Sequence, residues 1–261
     1  MSAVGDEPHT QWAETSRCRV TAAHRLGAFA ALELQAPRVA TRARPGQFVM
    51  VTVPGGGFLL RRPLSLFTSR GERVGLLVEA RGAGSERLAT VGVGEALELA
   101  GPLGTGFPTG GVTDALLIGG GIGCAPLQFL ADMLATGGAR VRAVFGFKDA
   151  RQARLTAVFD LPCLWVASED GSVGRRGTVV ELAETLETTA GTTVFCCGPP
   201  GMLAAVREWA AHRGLAGYAS LEAHMACGTG SCHGCVVATR HGWARVCSEG
   251  PVFPLEEVAV W

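Results

Sequence analysis

Residues 114–134 read DALLIGGGIGCAPLQFLADML, and the parsing of this stretch decides the fold. Residues 115–131 carry no charge and approach the length of a membrane span, yet four glycines and Pro126 interrupt them and Asp114 and Asp132 flank them. The stretch therefore reads as a buried strand at 115–118, a glycine turn, and a helix at 126–135. The turn, Gly119-Gly120-Gly121-Ile122-Gly123, occupies the place where a nucleotide pyrophosphate sits. Glycines let backbone approach phosphate, and a helix N-terminus offers free N–H groups. Its spacing is not a strict G-x-G-x-x-G, so the alternative is a tight strand-to-helix turn that binds nothing.

Downstream the rhythm continues: strands at 141–147 and 164–167, a helix at 179–186, a strand at 193–196, a helix at 202–212 and a short strand at 218–221. Alternation of this kind builds a parallel sheet with helices on its faces. Ligands of such sheets bind beyond the carboxyl ends of the strands, where Cys197-Gly198-Pro199 lies. Cys197 is placed to touch a nicotinamide ring or, alternatively, is a small buried hydrophobe beside Cys196.

Upstream, residues 17–100 show short β-rich segments at 18–21, 28–34, 47–53, 74–80 and 96–100, separated by Gly- and Pro-rich turns. These predict a small antiparallel barrel. Within it, Arg61-Arg62-Pro63-Leu64-Ser65-Leu66 opens a strand: a guanidinium can clamp a diphosphate and Ser65 can hydrogen-bond a heteroaromatic ring. A solvated strand face is the plainer alternative. Arg81-Gly82-Ala83-Gly84-Ser85 supplies a second turn with open N–H groups.

Near the C-terminus, Cys227, Cys232, Cys235 and Cys247 are spaced C-x4-C-x2-C-x11-C, the plant-type framework for a 2Fe-2S cluster. Small residues between the first two let the loop wrap closely. A zinc site usually pairs two C-x2-C knuckles, and only Cys232–Cys235 forms one; a Rieske centre needs two histidines, and neither His224 nor His233 has the expected place.

With 261 residues, 48% of them hydrophobic, the chain is long enough for two domains and a small cluster-bearing appendage. Lys plus Arg equals Asp plus Glu at 23 each, so no global field draws nucleic acid or an anionic membrane, and neither is expected as a partner. The other cysteines, Cys18, Cys124, Cys163, Cys196 and Cys197, show no paired spacing, and the polar start has no signal-peptide character. A cytoplasmic protein is expected. The expected division is a polar arm at 1–15, a β-barrel domain at 16–110, an α/β domain at 111–217 and a cluster subdomain at 218–261.

Together the segments PGQF (45–48), LLRRPLSL (59–66), GAGSERL (82–88), GPLGTGF (101–107), GGGIGCAPL (119–127), EDGSVG (169–174), CGPPGML (197–203), LEAHMACGTGSCHGC (221–235) and CSEGPVF (247–253) resemble the electron-transfer subunits of NAD-dependent bacterial dihydroorotate dehydrogenases, within the ferredoxin-NADP reductase superfamily. The resemblance runs from about Arg17 to Val260. It implies FAD in the barrel domain, NAD(H) in the α/β domain and one 2Fe-2S cluster at the C-terminus. It also implies that Arg62, Pro63, Leu64 and Ser65 contact the flavin and its diphosphate, that Val78, Glu79 and Ala80 line the FAD, and that Gly84 and Ser85 bind its phosphates. The four cysteines named above would hold the cluster. The implied partner is an FMN-containing catalytic subunit that oxidises dihydroorotate in pyrimidine biosynthesis, two of each chain per assembly. No catalytic acid or base is assigned, because the cofactors carry the chemistry.

The longer N-terminal arm, Cys124 beside the dinucleotide loop, and Arg175-Arg176 depart from the family pattern. The arginines offer a 2′-phosphate partner, while Glu169 and Asp170 favour a 2′-hydroxyl; NADH is the expected nucleotide. The alternatives are a related NAD(P)H reductase subunit serving a different catalytic partner and a non-catalytic zinc-knuckle module. Residues 252–255 are either part of a docking surface or packed inward beneath the cluster loop.

Overall fold

Alternating apolar residues between Thr15 and Leu103 close a six-stranded antiparallel barrel. Its strands are β1 (Thr15–Leu26), β2 (Phe29–Gln35), β3 (Phe48–Val51), β4 (Arg62–Arg70), β5 (Arg73–Glu79) and β6 (Ala96–Leu103), in the order β1-β2-β5-β4-β3-β6. The computed structural model describes residues 14–259. Most of the expected polar arm lies outside the described residues, whereas Thr15 already opens β1. The barrel is filled by Val20, Leu34, Val49, Val51, Leu66, Leu76, Val78 and Leu99. Two short helices, α1 (Pro37–Ala40) and α2 (Ala83–Ala89), follow β2 and β5. Leu88 of α2 plugs the barrel interior.

The second half is a seven-stranded sheet. In chain order it contains β7 (Asp114–Gly120), β8 (Arg140–Phe147), β9 (Leu164–Ser168), β10 (Arg175–Arg176), β11 (Thr192–Cys197) and β12 (Gly217–Ser220), interleaved with α3 (Ala125–Thr136), α4 (Val179–Ala183) and α5 (Pro200–His212). The six strands stand in the order β10-β9-β8-β7-β11-β12, all parallel, and a seventh strand from residues 252–254 closes the β12 edge antiparallel. Residues 115–118 of β7 are each fully buried, as a strand covered on both faces requires. Ala115 and Leu117 face α3, while Leu116 and Ile118 face the core of α4 and α5. No helix among the described residues is long and apolar enough to cross a membrane.

The C-terminal segment adds a hairpin, β13 (Val236–Thr239) with β14 (Gly242–Arg245), and then β15 (Val252–Pro254). β15 runs antiparallel to β12, so the expected division at 218 falls inside one sheet. The cluster segment is thus a loop and hairpin held between two strands of the α/β domain. Val252, Phe253 and Leu255 are buried, so of the two readings of 252–255 the structure favours the one in which this stretch packs inward. α4 ends at Ala183, short of the expected 186; the chain continues in turns through Leu186, and Glu187 O then accepts from the buried Arg142.

Candidate functional site: a flavin cradle, a dinucleotide crevice and a cysteine loop

Arg62 stands at the start of β4 and turns its guanidinium onto the first turn of α2. A Cβ on Gly84 would lie 2.5 Å from Arg62 Nη2, so only glycine admits this approach. Arg62 Nη1 donates to Leu60 O at 2.6 Å, which fixes the arm. The Ser85 hydroxyl accepts from the N–H groups of Arg81 and Gly82 at 2.9 and 3.2 Å. Ser85 Oγ is thereby committed to closing the turn, and its backbone N–H, with those of Ala83 and Gly84, has no partner within the helix. A cation beside unpaired N–H groups is chemically suited to a diphosphate. Pro63, Leu64 and Ser65 are half-buried along β4. Val78 points into the barrel core, which limits its contact with any ligand to backbone, while Ala80 N donates to Ala28 O at 2.8 Å.

At the carboxyl ends of β7 and β11 the two glycine-bearing turns touch each other. A Cβ on Gly123 would meet Cys197 O and Gly198 Cα at 2.7 Å, and one on Gly120 would meet Met202 Sδ at 2.6 Å. Cys124 Sγ and Gln152 fill the corresponding space at Gly119 and Gly121. The glycines therefore serve to pack loop on loop, and what they offer a ligand is N–H groups and the partly exposed Ile122. Gly198 is buried and Pro199 exposed, so the rim of the crevice is at Pro199.

Cys197 is 2% exposed. Burial pushes its thiol well above the usual range, and the nearby Glu222 carboxylate adds to the effect. It is a neutral thiol at neutral pH. Glu222, just beyond β12, meets solvent at its rim, yet crowding by the protein raises its carboxyl above the ordinary value; Arg81 opposes the shift and Glu79 adds to it. Glu79 Oε2 pairs with Arg81 Nη2 at 2.5 Å, in a geometry that leaves this oxygen without an aligned hydrogen bond. Glu79 and Arg81 of the barrel half and Cys197 and Glu222 of the α/β half are thus electrostatic neighbours across the junction of the two. Sequence reasoning missed Glu222, although its place after the last parallel strand was a usable signal.

The cysteine loop is built around N–H donors. Thr229 N and Cys232 N point at Cys227 Sγ at 3.4 and 3.5 Å, Gly230 N at Cys247 Sγ at 3.1 Å, Gly234 N at Cys232 Sγ at 3.4 Å, and Cys247 N at Cys235 Sγ at 3.4 Å. At Cys227 burial pushes the thiol up, but the N–H groups of Cys232 and Thr229 outweigh it and bring it down to about 6. At Cys247 burial dominates and the thiol is pushed up to about 12. Among the described residues no three His, Cys, Asp or Glu side chains surround a single metal-ion position. Four free thiols, each giving or receiving such contacts through one short loop, are the donor set an iron-sulfur cluster takes. Cys235 and Cys247 are buried, Cys227 is intermediate and Cys232 is exposed, so the loop turns its Cys232-His233-Gly234 edge outward. Arg245 clamps it from below, donating to Gly230 O at 3.2 Å and to the Glu249 carboxylate at 3.0 Å.

Comparison with known proteins matches residues 222–259 to the iron-sulfur cluster binding domain of dihydroorotate dehydrogenase B. Over 240 residues the chain is 37% identical to the electron transfer subunit of dihydroorotate dehydrogenase B (NAD(+)) from Shouchella clausii (strain KSM-K16), covering 88% of this chain and 92% of that one. The subunit of the same name from Enterococcus faecalis (strain ATCC 700802 / V583) is 38% identical over 241 residues, with 87% and 91% covered. Among solved structures, an NADH-dependent reduced ferredoxin-NADP oxidoreductase superposes with a TM-score of 0.81 at 24% identity, over 93% of this chain and 90% of that one. Phthalate dioxygenase reductase does so at 0.59 and 24%, over 76% and 64%. At these identities the structural likeness is one of fold.

Proposed function

Because this chain belongs to the family of electron-transfer subunits of dihydroorotate dehydrogenase B, we propose that it is the reductase half of a two-subunit oxidoreductase. It passes electrons between NAD(H), FAD and a 2Fe-2S cluster, to or from a catalytic subunit that acts on dihydroorotate in pyrimidine biosynthesis. A bound FAD would supply the exchange of hydride with a nicotinamide and the division of that pair into the single electrons that a cluster takes. Arg62 and the first-turn N–H groups of α2 hold the diphosphate, and Pro63, Leu64 and Ser65 support the ring. The loops 119–123 and 197–199 receive the dinucleotide, with the neutral Cys197 excluding water beneath it. Cys227, Cys232, Cys235 and Cys247 hold the cluster.

The observation that carries this reading is the mounting of the cysteine loop. Cys235 and Cys247 belong to the same apolar core as Phe48 and Met50 of β3, the strand paired with β4. A loop of metal-ligand chemistry is thereby seated one strand from the arginine motif suited to FAD. The outward edge at Cys232-His233-Gly234 is the exit to the catalytic subunit, for which we propose an FMN-containing chain in a two-plus-two assembly. NADH is the proposed nucleotide, and the cytoplasm the proposed compartment, where cysteines without disulfide partners persist.

Anaerobically purified protein is expected to be yellow-brown, with about two irons and two labile sulfides per chain and about one FAD. Colourless protein carrying stoichiometric zinc sinks the reading. Cys232→Ser is expected to lose the cluster while retaining FAD, since the barrel folds around its own core.

A further inference from the structure

β3 is buried on both sides, and its two faces serve different masters. Val49 and Val51 point into the barrel, while Phe48 and Met50 point out of it. In the β3–β4 ladder Met50 lies opposite Pro63 and Phe48 opposite Ser65. Residues directly opposite share a face, so the outer face of the flavin strand continues onto Met50. Met50 is 1% exposed and sits in one core with Cys235 and Cys247. On its far side the cysteine loop comes down on it at Gly228, the residue after Cys227. A Cβ there would stand 2.5 Å from Met50 Cγ and 2.9 Å from its Sδ, and the backbone already occupies the left-handed region at φ +72°. One side chain therefore lies between Pro63 of β4 and Gly228 of the cysteine loop.

We propose that Met50 is a positioning residue for electron transfer, the spacer that sets the gap between the flavin strand and the cysteine loop, with Gly228 as its seat. The inference rests on the cofactor placement proposed above. Electron tunnelling weakens exponentially with distance and is weaker across a void than through packed atoms. A long, polarisable thioether fills an irregular gap without strain, and glycine lets the loop descend onto it. Leu103 of β6 borders the same seat at 3.4 Å, so the loop has a floor on two strands, and only Met50 also faces the flavin strand's partner residue.

Two readouts test this on the cofactor-loaded protein. In anaerobic rapid mixing with NADH, Met50→Ala is expected to leave the rate of flavin bleaching unchanged and to slow cluster bleaching at least about 10-fold, the scale at which sub-ångström to ångström misplacement acts. Met50→Leu, which conserves volume, restores most of the loss, and Met50→Val falls between and replaces the alanine variant if that fails to fold. Iron content and the cluster's EPR line shape stay as in wild type. The second readout is thermal unfolding in a cycle of Gly228→Ala and Met50→Ala: the downward shift caused by Gly228→Ala is smaller once Met50 is alanine, because the clash is relieved. Equal slowing of both bleaching steps, an unchanged cluster rate in Met50→Ala, or strictly additive melting shifts each overturn the proposal. Wild-type protein that binds neither FAD nor iron would sink the functional reading instead, while the melting cycle still decides the contact.

Discussion

Arg62 shows how much one side chain can carry in this molecule. Its guanidinium is fixed by Leu60 O and lies flat on Gly84, so removing it leaves the proposed diphosphate site with N–H groups but no cation. Arg62→Ala is expected to weaken FAD binding by about 1.5–3 kcal/mol, the worth of a charge-assisted contact, as read by flavin retention and titration. Unchanged affinity would make Arg62 a structural strand residue. Glu222 makes a different prediction, about pH. Its carboxyl is raised in the folded protein by burial, so the folded state holds the proton more tightly than the unfolded one. Its contribution to stability is complete below the ordinary glutamate value of about 4.3 and is lost as pH rises through the elevated one. Melting temperature against pH is therefore expected to fall more steeply across that window in wild type than in Glu222→Gln. Parallel curves would mean that Glu222 titrates normally. The arginine motif was legible because it is contiguous. For Glu222 only its place after the last parallel strand was legible; its environment was not, since its neighbours Glu79 and Arg81 come from the end of β5 and the turn after it, more than a hundred residues away.

At the level of elements, strands and helices with strong local pattern were readable: 115–118 lies in β7 and 126–135 in α3, because a continuous apolar run bounded by glycine and proline has one sensible parse. β15 was not readable. Three residues pair antiparallel with β12 across an intervening loop, and nothing local in Val252-Phe253-Pro254 announces it. The hairpin of β13 and β14 was likewise missed. Its register places Val237 and Ala244 on the core side and Val236 and Trp243 on the other, where Trp243 is 78% exposed. A bare tryptophan on the hairpin that follows Cys235 suits an interface anchor, so Trp243→Ala is expected to weaken association with the proposed catalytic subunit by about 2 kcal/mol, measured by sedimentation or calorimetry, with iron content unchanged. The far end of the sheet is held by a buried pair: Arg142 Nη2 meets Asp114 Oδ2 at 2.7 Å, and Thr192 Oγ1 donates to the same oxygen at 2.5 Å. Arg142→Ala strands that carboxylate, and denaturant unfolding is expected to show a loss of about 3–5 kcal/mol. At one edge of the sheet Arg175 and Arg176 form β10, with the Arg176 side chain lying over Gly171. Ser172 holds the Asp170 carboxyl below its ordinary range, so a carboxylate stands in the same loop. The expected outcome is a kcat/KM for NADH at least about 10-fold above that for NADPH, or about 1.4 kcal/mol. The reverse preference, lost in an Arg175→Ala/Arg176→Ala variant, would transfer the decision to the arginines.

Across the whole molecule, three apolar cores divide the labour: one fills the barrel, one lies between the sheet and α3, and one unites the outer face of β3, the face of the sheet under α4 and α5, and the cysteine loop. The third core makes the chain a single path instead of three modules in a row. Thr105 N donates to Gly250 O at 2.6 Å and seals the same junction with backbone. On the proposed cofactor placement the chain by itself would move electrons from a nicotinamide to a cluster, and oxidation of dihydroorotate would fall to the proposed catalytic subunit. The direct test is anaerobic reduction of the purified chain, free of any FMN subunit, by NADH, followed by absorbance and by EPR of the frozen sample. Flavin bleaching is expected first, then a reduced 2Fe-2S signal approaching about one spin per chain, with no oxidation of added dihydroorotate. A flavin that is reduced while the cluster stays silent, or dihydroorotate oxidised by this chain alone, would contradict this expectation.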